Sequence, residues 1–406
     1  MRRREFMTLL GGAAAFPMIA RAQQPKSLDS DLQHAVDRKD AAGVVVMAAN
    51  AKGVIYQGAF GVADIGAAAP LKMDSLFRIA SMTKAVTSTA AMQLIEQGRF
   101  KLDDPVAKYF PDFAKLQMFE SFDHATGAYR LKPVTTPVTV QHLFTHTSGL
   151  GYPFTSDILR DFKPKPGESY PVGPLLFEPG TRWHYGTSVD WLGRLVEKVS
   201  GQPLEDYFHQ KIFMPLGMPD TFYFVPKAKE ARLVTVNRRL PDGSLAKDAA
   251  QPPTAGFTPI GGGGLTSTAA DYIRFTRMFL NGGELDGARV LSAQSVTAMG
   301  QNHIGTVGVP ALKSAMADRS EDFSFIADGR DKWGLGFLIT ADAVAGKRSA
   351  GSLSWGGINN TYYWLDPARG VTGVIMMQFL PFADKRALGV YDTFERGVYR
   401  IADASR

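Results

Sequence analysis

Phe77-Arg78-Ile79-Ala80-Ser81-Met82-Thr83-Lys84 leads into a run rich in Ala, Met, Val and Leu that continues to Gln97 and stops at Gly98. The apolar spacing and the closing glycine predict a long buried helix over Ser81 to Gln97 with a glycine C-cap. On that helix Ser81 and Lys84 share a face, because positions i and i+3 are surface neighbours. A serine hydroxyl is a weak nucleophile until a neighbouring base removes its proton, and a buried lysine is one residue type that can do so. The helix N-terminus adds a backbone donor and a positive dipole at the same point.

Ser-x-x-Lys also arises by chance, and the chain holds a second copy, Ser244-Leu245-Ala246-Lys247. That copy follows Pro241-Asp242-Gly243 in polar, turn-rich sequence with no long helix to bury it, which predicts a surface loop.

Working outward, Leu28 to Arg38 has helical spacing, and Gly43 to Ala49 with Val54 to Ala63 reads as a β-hairpin. Between roughly Leu102 and Pro253, helical patches at Val140 to Phe144 and Ser188 to Val199 alternate with Pro/Gly loops. Short β-rich runs return at Gly334 to Thr340, Ser352 to Trp355, Thr361 to Leu365 and Val371 to Phe379, before a helix over Phe382 to Ala402. Strands at both ends around a helical middle predict one sheet assembled from the two ends of the chain. The expected division is a sheet lobe of about residues 28–80 and 260–406 and an inserted helical lobe of about 85–255.

Two further stretches carry chemistry. Tyr185 stands in Glu178-Pro179-Gly180-Thr181-Arg182-Trp183-His184-Tyr185-Gly186-Thr187-Ser188, just before a helix, where it could be packing or catalytic. In Ser354-Trp355-Gly356-Gly357-Ile358 two glycines permit close backbone approach to a ligand, so that an N–H can face a developing oxyanion; a β-bulge or turn would use them equally well.

The first 22 residues have a different character. Arg2, Arg3 and Arg4 precede Phe6-Met7, a 14-residue apolar stretch runs from Met7 to Ala20, and Ala20-Arg21-Ala22 is a small-x-small cleavage site. Arg3-Arg4-Glu5-Phe6-Met7 fits the twin-arginine pattern, so residues 1–22 are read as a signal peptide for export, most simply to the periplasm. As a helix that stretch would span only ~21 Å against a ~30 Å hydrocarbon core, and no later segment is long and apolar enough. Removing this segment takes away four Arg and one Glu and lowers the net charge of +6 by three, to +3.

The absence of cysteine excludes disulfides, thiolate metal sites and Cys nucleophiles. The remainder shows no basic block interleaved with aromatics, so nucleic-acid binding has no signal. His142 and His146 have H-x-x-x-H spacing, but Leu143 stands where a zincin carries glutamate, and no metal or other cofactor is expected. Gly261 to Gly264 lacks the Gly-Lys-Ser/Thr ending of a phosphate loop and predicts a tight turn lining the site. No G-x-S-x-G elbow occurs anywhere.

The stretches around Ser81, Tyr185 and Trp355, in this order, resemble the serine β-lactamase and penicillin-binding protein superfamily, most closely the class C-like family VIII carboxylesterases. Val140-Gln141-His142-Leu143-Phe144-Thr145-His146-Thr147-Ser148-Gly149-Leu150, Pro215-Leu216-Gly217-Met218 and Gly261 to Tyr272 extend the likeness over nearly the whole chain after residue 22. The resemblance implies an α/β fold of the α+β type, an antiparallel sheet flanked by helices with an inserted all-helical subdomain. It implies a site between the lobes holding Ser81, Lys84 and Tyr185, with an oxyanion hole from the backbone N–H groups of Ser81 and Ile358. By the same analogy Tyr185, held by Lys84, takes the Ser81 proton and later activates water, although lysine could be the base instead.

Two departures fall on substrate recognition: Trp355-Gly356-Gly357 stands where β-lactamases carry Lys-Thr-Gly, and Tyr185-Gly186-Thr187 where they carry Tyr-x-Asn. A lysine offers a cation to a β-lactam carboxylate and an asparagine an amide to the acylamide; indole and a threonine hydroxyl do these jobs poorly. Trp355, Gly356, Gly357 and Thr187 are the expected substrate-binding residues, Lys347 and Arg348 a partial replacement for the lost cation. The leading expectation is a hydrolase of small or medium carboxylic esters through an acyl-enzyme on Ser81, with a small-molecule ester as substrate and no nucleic-acid partner. A β-lactamase or D-amino-acid peptidase is the enzymatic alternative, and a non-catalytic binding protein of the same fold the alternative of another class.

Overall fold

The computed structural model describes residues 26–324 and 329–404; the expected signal peptide and its cleavage site lie outside them. Helix α1 (Lys26–Asp37) precedes β1 (Gly43–Asn50) and β2 (Val54–Asp64), which form the expected hairpin. Its turn is closed by Asn50, whose side-chain oxygen accepts the amides of Lys52 and Gly53. Helix α2 (Thr83–Glu96) ends at Gly98, which takes the left-handed φ of +67° expected of a glycine stop.

Near the other end come β3 (Leu353–Gly357), β4 (Thr361–Asp366) and β5 (Val371–Met376), then α5 (Lys385–Ala404), with α3 (Ser188–Ser200) and α4 (Ala269–Leu280) between. Among the described residues the main sheet has eight strands, in the order Lys332–Trp333, Leu338–Ile339, β3, β4, β5, β1, β2, Ala69–Pro70, all antiparallel. The pairing of β1 with β5, Val45 opposite Met376, joins the two ends of the chain into one sheet. The fold is thus the antiparallel sheet flanked by helices that the resemblance implied.

Alternation explains why β1 reads as an unbroken apolar run. Val44, Val46 and Ala48 face a layer with Leu28 and Leu32 of α1 and Val390, Phe394 and Val398 of α5. Val45, Met47 and Ala49 face the opposite layer, with Ala85 and Val86 of α2 and Ile273 and Phe275 of α4. A sheet covered on both faces has no polar side to its central strands.

Tertiary context changed several boundaries. Gly334 to Thr340 is not one strand: Gly334 to Phe337 turns between Lys332–Trp333 and Leu338–Ile339. The run from Val371 leaves the sheet after Met376, and Phe379–Leu380 pairs in parallel with Asn237–Arg239. The insertion is mainly helical but carries two hairpins, Gln117–Phe122 with Tyr129–Pro133, and Asn237–Arg239 with Leu245–Lys247. The second Ser-x-x-Lys therefore lies in a hairpin rather than a loop: the Ser244 hydroxyl donates to Asp242 at 2.7 Å, and exposed Lys247 pairs with Asp64.

Candidate active site

Ser81 is presented by a tight, multiply anchored segment. Phe77–Arg78 pairs with Thr266–Ser267, the Arg78 amide donates to Gln378 Oε1 at 2.7 Å, and the Ile79 amide donates to the Leu265 carbonyl at 2.9 Å. Ala80 then adopts φ +45°, a left-handed conformation that costs a residue with a Cβ of order 1 kcal/mol or more. Ser81 sits in the 3-10 turn Ala80–Met82 that feeds α2, one step before the α-helix proper.

Lys84, in the first turn of α2, is only 2% exposed, so its amine must find partners inside the protein. It donates to Ser81 Oγ at 3.2 Å, to the Tyr152 hydroxyl at 3.2 Å and to the Gly262 carbonyl at 2.6 Å. Three oxygens thus surround the amine, and of these the Ser81 hydroxyl can also donate to it. The second-sphere anion is Asp190, in the first turn of α3: its Oδ2 accepts from the Tyr152 hydroxyl at 3.2 Å and its Oδ1 from the Gly262 amide at 2.8 Å. A Cβ on residue 262 would lie 2.5 Å from Asp190 Oδ1 and 2.8 Å from the Tyr152 hydroxyl, so a side chain there would have to displace both. Burial of the hydroxyl first, then the charge of Asp190, raise the Tyr152 pKa well above the usual phenol range, so Tyr152 is a neutral donor to Asp190.

Tyr185 meets Lys84 differently. Its ring centroid lies 4.7 Å from Lys84 Nζ, a cation–π contact, and its hydroxyl accepts from Trp355 Nε1 at 3.4 Å. The segment around Tyr185 is clamped by His146: the His184 amide donates to the His146 carbonyl at 2.9 Å, and the Gly186 amide donates to His146 Nδ1 at 3.4 Å. His146 is fully buried, and desolvation, then the charge of Lys84, lower its pKa well below the ordinary range, so the ring is neutral and Nδ1 can accept. His142 instead caps its own helix, accepting the Thr139 amide at 3.2 Å. Neither histidine of the H-x-x-x-H pair is arranged with other ligating groups, and among the described residues no cluster of three or more His, Asp or Glu could hold a metal.

The end of β3 lies directly over the Ser81 segment. A Cβ on residue 357 would come within 2.2 Å of the Ile79 carbonyl, so Gly357 is the condition for that approach. It brings Ile358 beside Ser81: Ser81, Phe154, Tyr185, Phe323, Trp355, Gly356, Ile358 and Phe382 line one narrow cleft with at most about 270 Å³ of empty space. Trp355 is 3% exposed, edge-on to Trp333 at 4.6 Å and tilted against Tyr185 at 5.0 Å. Thr187 is half-buried at the N-cap of α3, its carbonyl accepting the Asp190 amide at 3.0 Å.

One expectation needs correction. Lys347 and Arg348 do not replace the missing cation: they serve the other face of the sheet, Arg348 bound to Glu395 at 2.7 and 3.0 Å and Lys347 to Asp392 at 2.9 Å. Tyr152 and Asp190, by contrast, escaped the sequence reading. Tyr152 looks like one more aromatic after Leu150-Gly151, and Asp190 like a helix-start acid; only the fold brings them onto Lys84.

A serine hydroxyl on a buried lysine amine, at the foot of a helix beside the end of an interior strand of an antiparallel sheet, defines the class: a β-lactamase/transpeptidase-like fold. The beta-lactamase family model matches residues 28–394, and the chain belongs to that family. It is 31% identical to the lovastatin esterase of Penicillium rubens, over 92% of this chain and 98% of that one. It is 30% identical to the monacolin J acid methylbutanoyltransferase of Aspergillus terreus, over 95% and 97% of the two chains. The solved structure of simvastatin synthase from Aspergillus terreus, 28% identical, superimposes with a TM-score of 0.78, covering 92% of this chain and 97% of the other. No helix among the described residues is long and apolar enough to cross a membrane.

Proposed function

We propose that the protein is a serine hydrolase of small or medium carboxylic esters that works through an acyl-enzyme on Ser81. The observation that carries this reading is the 3.2 Å contact of Lys84 Nζ with Ser81 Oγ at the floor of an aromatic cleft. In acylation the Lys84–Tyr185 pair enters the step one proton short, and Ser81 Oγ bonds to the ester carbonyl carbon while its proton passes to that pair. The carbonyl oxygen becomes an oxyanion facing the Ser81 and Ile358 amides. When the C–O bond to the alcohol breaks, the same proton goes to the departing alkoxide. In deacylation water repeats the sequence: its oxygen bonds to the acyl carbon, its proton crosses the pair, and Ser81 Oγ recovers a proton as the acid leaves.

The wall supports a preference for neutral esters over β-lactams. Trp355, Phe154, Phe323 and Phe382 offer apolar surface to an acyl or alcohol group, and Lys347 and Arg348 are committed elsewhere. A lost charged hydrogen bond to a bound carboxylate costs on the order of 1.5 to 3 kcal/mol, roughly ten- to hundred-fold in kcat/KM, and a neutral ester does not incur it. The test compares kcat/KM for a p-nitrophenyl short-chain ester and a chromogenic cephalosporin in the parent and in Trp355→Lys. The parent is expected to favour the ester and the variant to narrow the gap; parent cephalosporin turnover at or above ester turnover would reassign the protein as a β-lactamase. Acyl transfer to an alcohol other than water is the second reading, supported by the transferase name of the Aspergillus terreus relative.

We also propose export of the precursor through a twin-arginine signal with trimming near Ala22, supported by Arg3-Arg4 and Ala20-Arg21-Ala22. A mature N-terminus that still contains Met7 to Ala20 by mass spectrometry would overturn it.

A further inference from the structure

The reach of Lys84 to Ser81 poses a mechanical problem. An amine at the end of four methylenes has many rotamers, and holding it in one of them costs conformational entropy. The contact with Ser81 Oγ, at 3.2 Å, is too weak to hold it alone. What fixes the amine is its other two acceptors, and both trace back to one carboxylate. Asp190 Oδ2 accepts from the Tyr152 hydroxyl, whose oxygen accepts from Lys84; Asp190 Oδ1 accepts from the Gly262 amide, and the carbonyl of Gly262 accepts from Lys84.

We propose that Asp190 and Tyr152 are positioning residues for Lys84: one carboxylate fixes two of the lysine's three acceptors and so aims the amine at Ser81. This rests on the reading of Ser81 and Lys84 as nucleophile and amine. The carboxylate stands one hydrogen bond removed from Lys84 on both arms. A direct Asp–Lys ion pair would draw the amine off the serine; two neutral oxygens between them hold its direction while the negative charge favours the cation formed when Lys84 holds the serine proton. The short arm through Gly262, 2.6 Å, fixes distance; the arm through Tyr152, braced by stacking on Phe154 at 5.2 Å, fixes angle. Tyr152 is not a second base: as a neutral phenol it donates to Asp190 and receives from Lys84.

The experiment reads the nucleophile directly. Parent, Tyr152→Phe, Asp190→Asn and the double variant are treated with a fluorophosphonate, which phosphonylates an activated serine with loss of fluoride, and the rate of Ser81 labelling is followed by intact mass and peptide mapping. Steady-state kcat and KM for a p-nitrophenyl short-chain ester are measured beside it. Asp190→Asn is expected to slow labelling and kcat on the order of 10- to 100-fold, and Tyr152→Phe by about tenfold, with KM within about twofold. The double variant should fall within about threefold of Asp190→Asn, because the Tyr152 arm already depends on that carboxylate. Tyr152→Phe keeps the ring and its stacking, so it reads the network even if Asp190→Asn misfolds. Folded variants labelled at the parent rate, or losses confined to KM, would overturn the proposal. If instead the parent is not labelled on Ser81 and Ser81→Ala still hydrolyses the ester, the assignment of Ser81 itself has failed.

Discussion

Two buried basic side chains sit on opposite faces of the same sheet. Arg348 lies among the α1/α5 layer, over the rings of Trp364 and Tyr391, and binds Glu395 directly with two hydrogen bonds of 2.7 and 3.0 Å. Lys84 lies on the other face, bound to three neutral oxygens, with Asp190 one hydrogen bond away. Burial opposes the charge of Glu395, but the charge and hydrogen bonds of Arg348 outweigh it and hold that carboxyl below its ordinary pKa. A cation paired directly with its own carboxylate is a fixed structural part, held in place by that two-point contact. An amine set among neutral oxygens keeps a contact with Ser81, with the carboxylate of Asp190 one hydrogen bond away.

Variants at the two sites test that contrast. The largest effect is expected at the functional one: Ser81→Ala should lower kcat/KM for the ester by at least about a thousandfold with the melting temperature nearly unchanged, whereas Ser244→Ala stays within about twofold. Loss of activity in Ser244→Ala alone would break the assignment. On the structural side, Glu395→Gln leaves a buried guanidinium without its anion and should cost about 3–5 kcal/mol in denaturant unfolding, with kcat unchanged at temperatures where the protein is folded. A large kcat loss without destabilisation there would dissolve the distinction between the two faces.

A third, smaller effect concerns the loop that carries Tyr185. Desolvation lowers the pKa of His184 from an ordinary 6.5 to about 4. Between those values the unfolded chain binds a proton that the folded chain does not, so this contribution is present above pH 6.5 and is lost as pH falls toward 4, up to about 3 kcal/mol over the window. Asp271, raised to about 6 by burial, works in the opposite direction over part of the same range. Melting curves from pH 4 to 7 should therefore show a shallower acid decline in His184→Gln than in the parent; identical slopes would remove His184 from the account.

Local rules were enough for the elements whose partners are near in sequence. The hairpin of β1 and β2, the glycine stop at Gly98, the length of α2 and the serine–lysine pair one turn apart all follow from spacing. The Trp355-Gly356-Gly357 run could be marked as a close approach of backbone or as a bulge or turn, and only the fold, with the Ile79 carbonyl 2.2 Å from a Cβ on residue 357, chose the approach. What no spacing could supply is which segments meet across the chain. Asp190 reaches Tyr152 over 38 positions, Lys84 reaches Gly262 over 178, and Arg348 is withdrawn from the site by a glutamate 47 residues later. Each is a decision of topology: the sheet joins the chain's two ends, and a side chain's role is set by which buried partner the fold brings to it. Sequence by itself determined the chemistry available, a serine, an amine and a phenol with a tryptophan wall. Tertiary structure alone decided how the amine is aimed, because the free energy of a buried charge depends on partners that only the folded chain brings within hydrogen-bond distance.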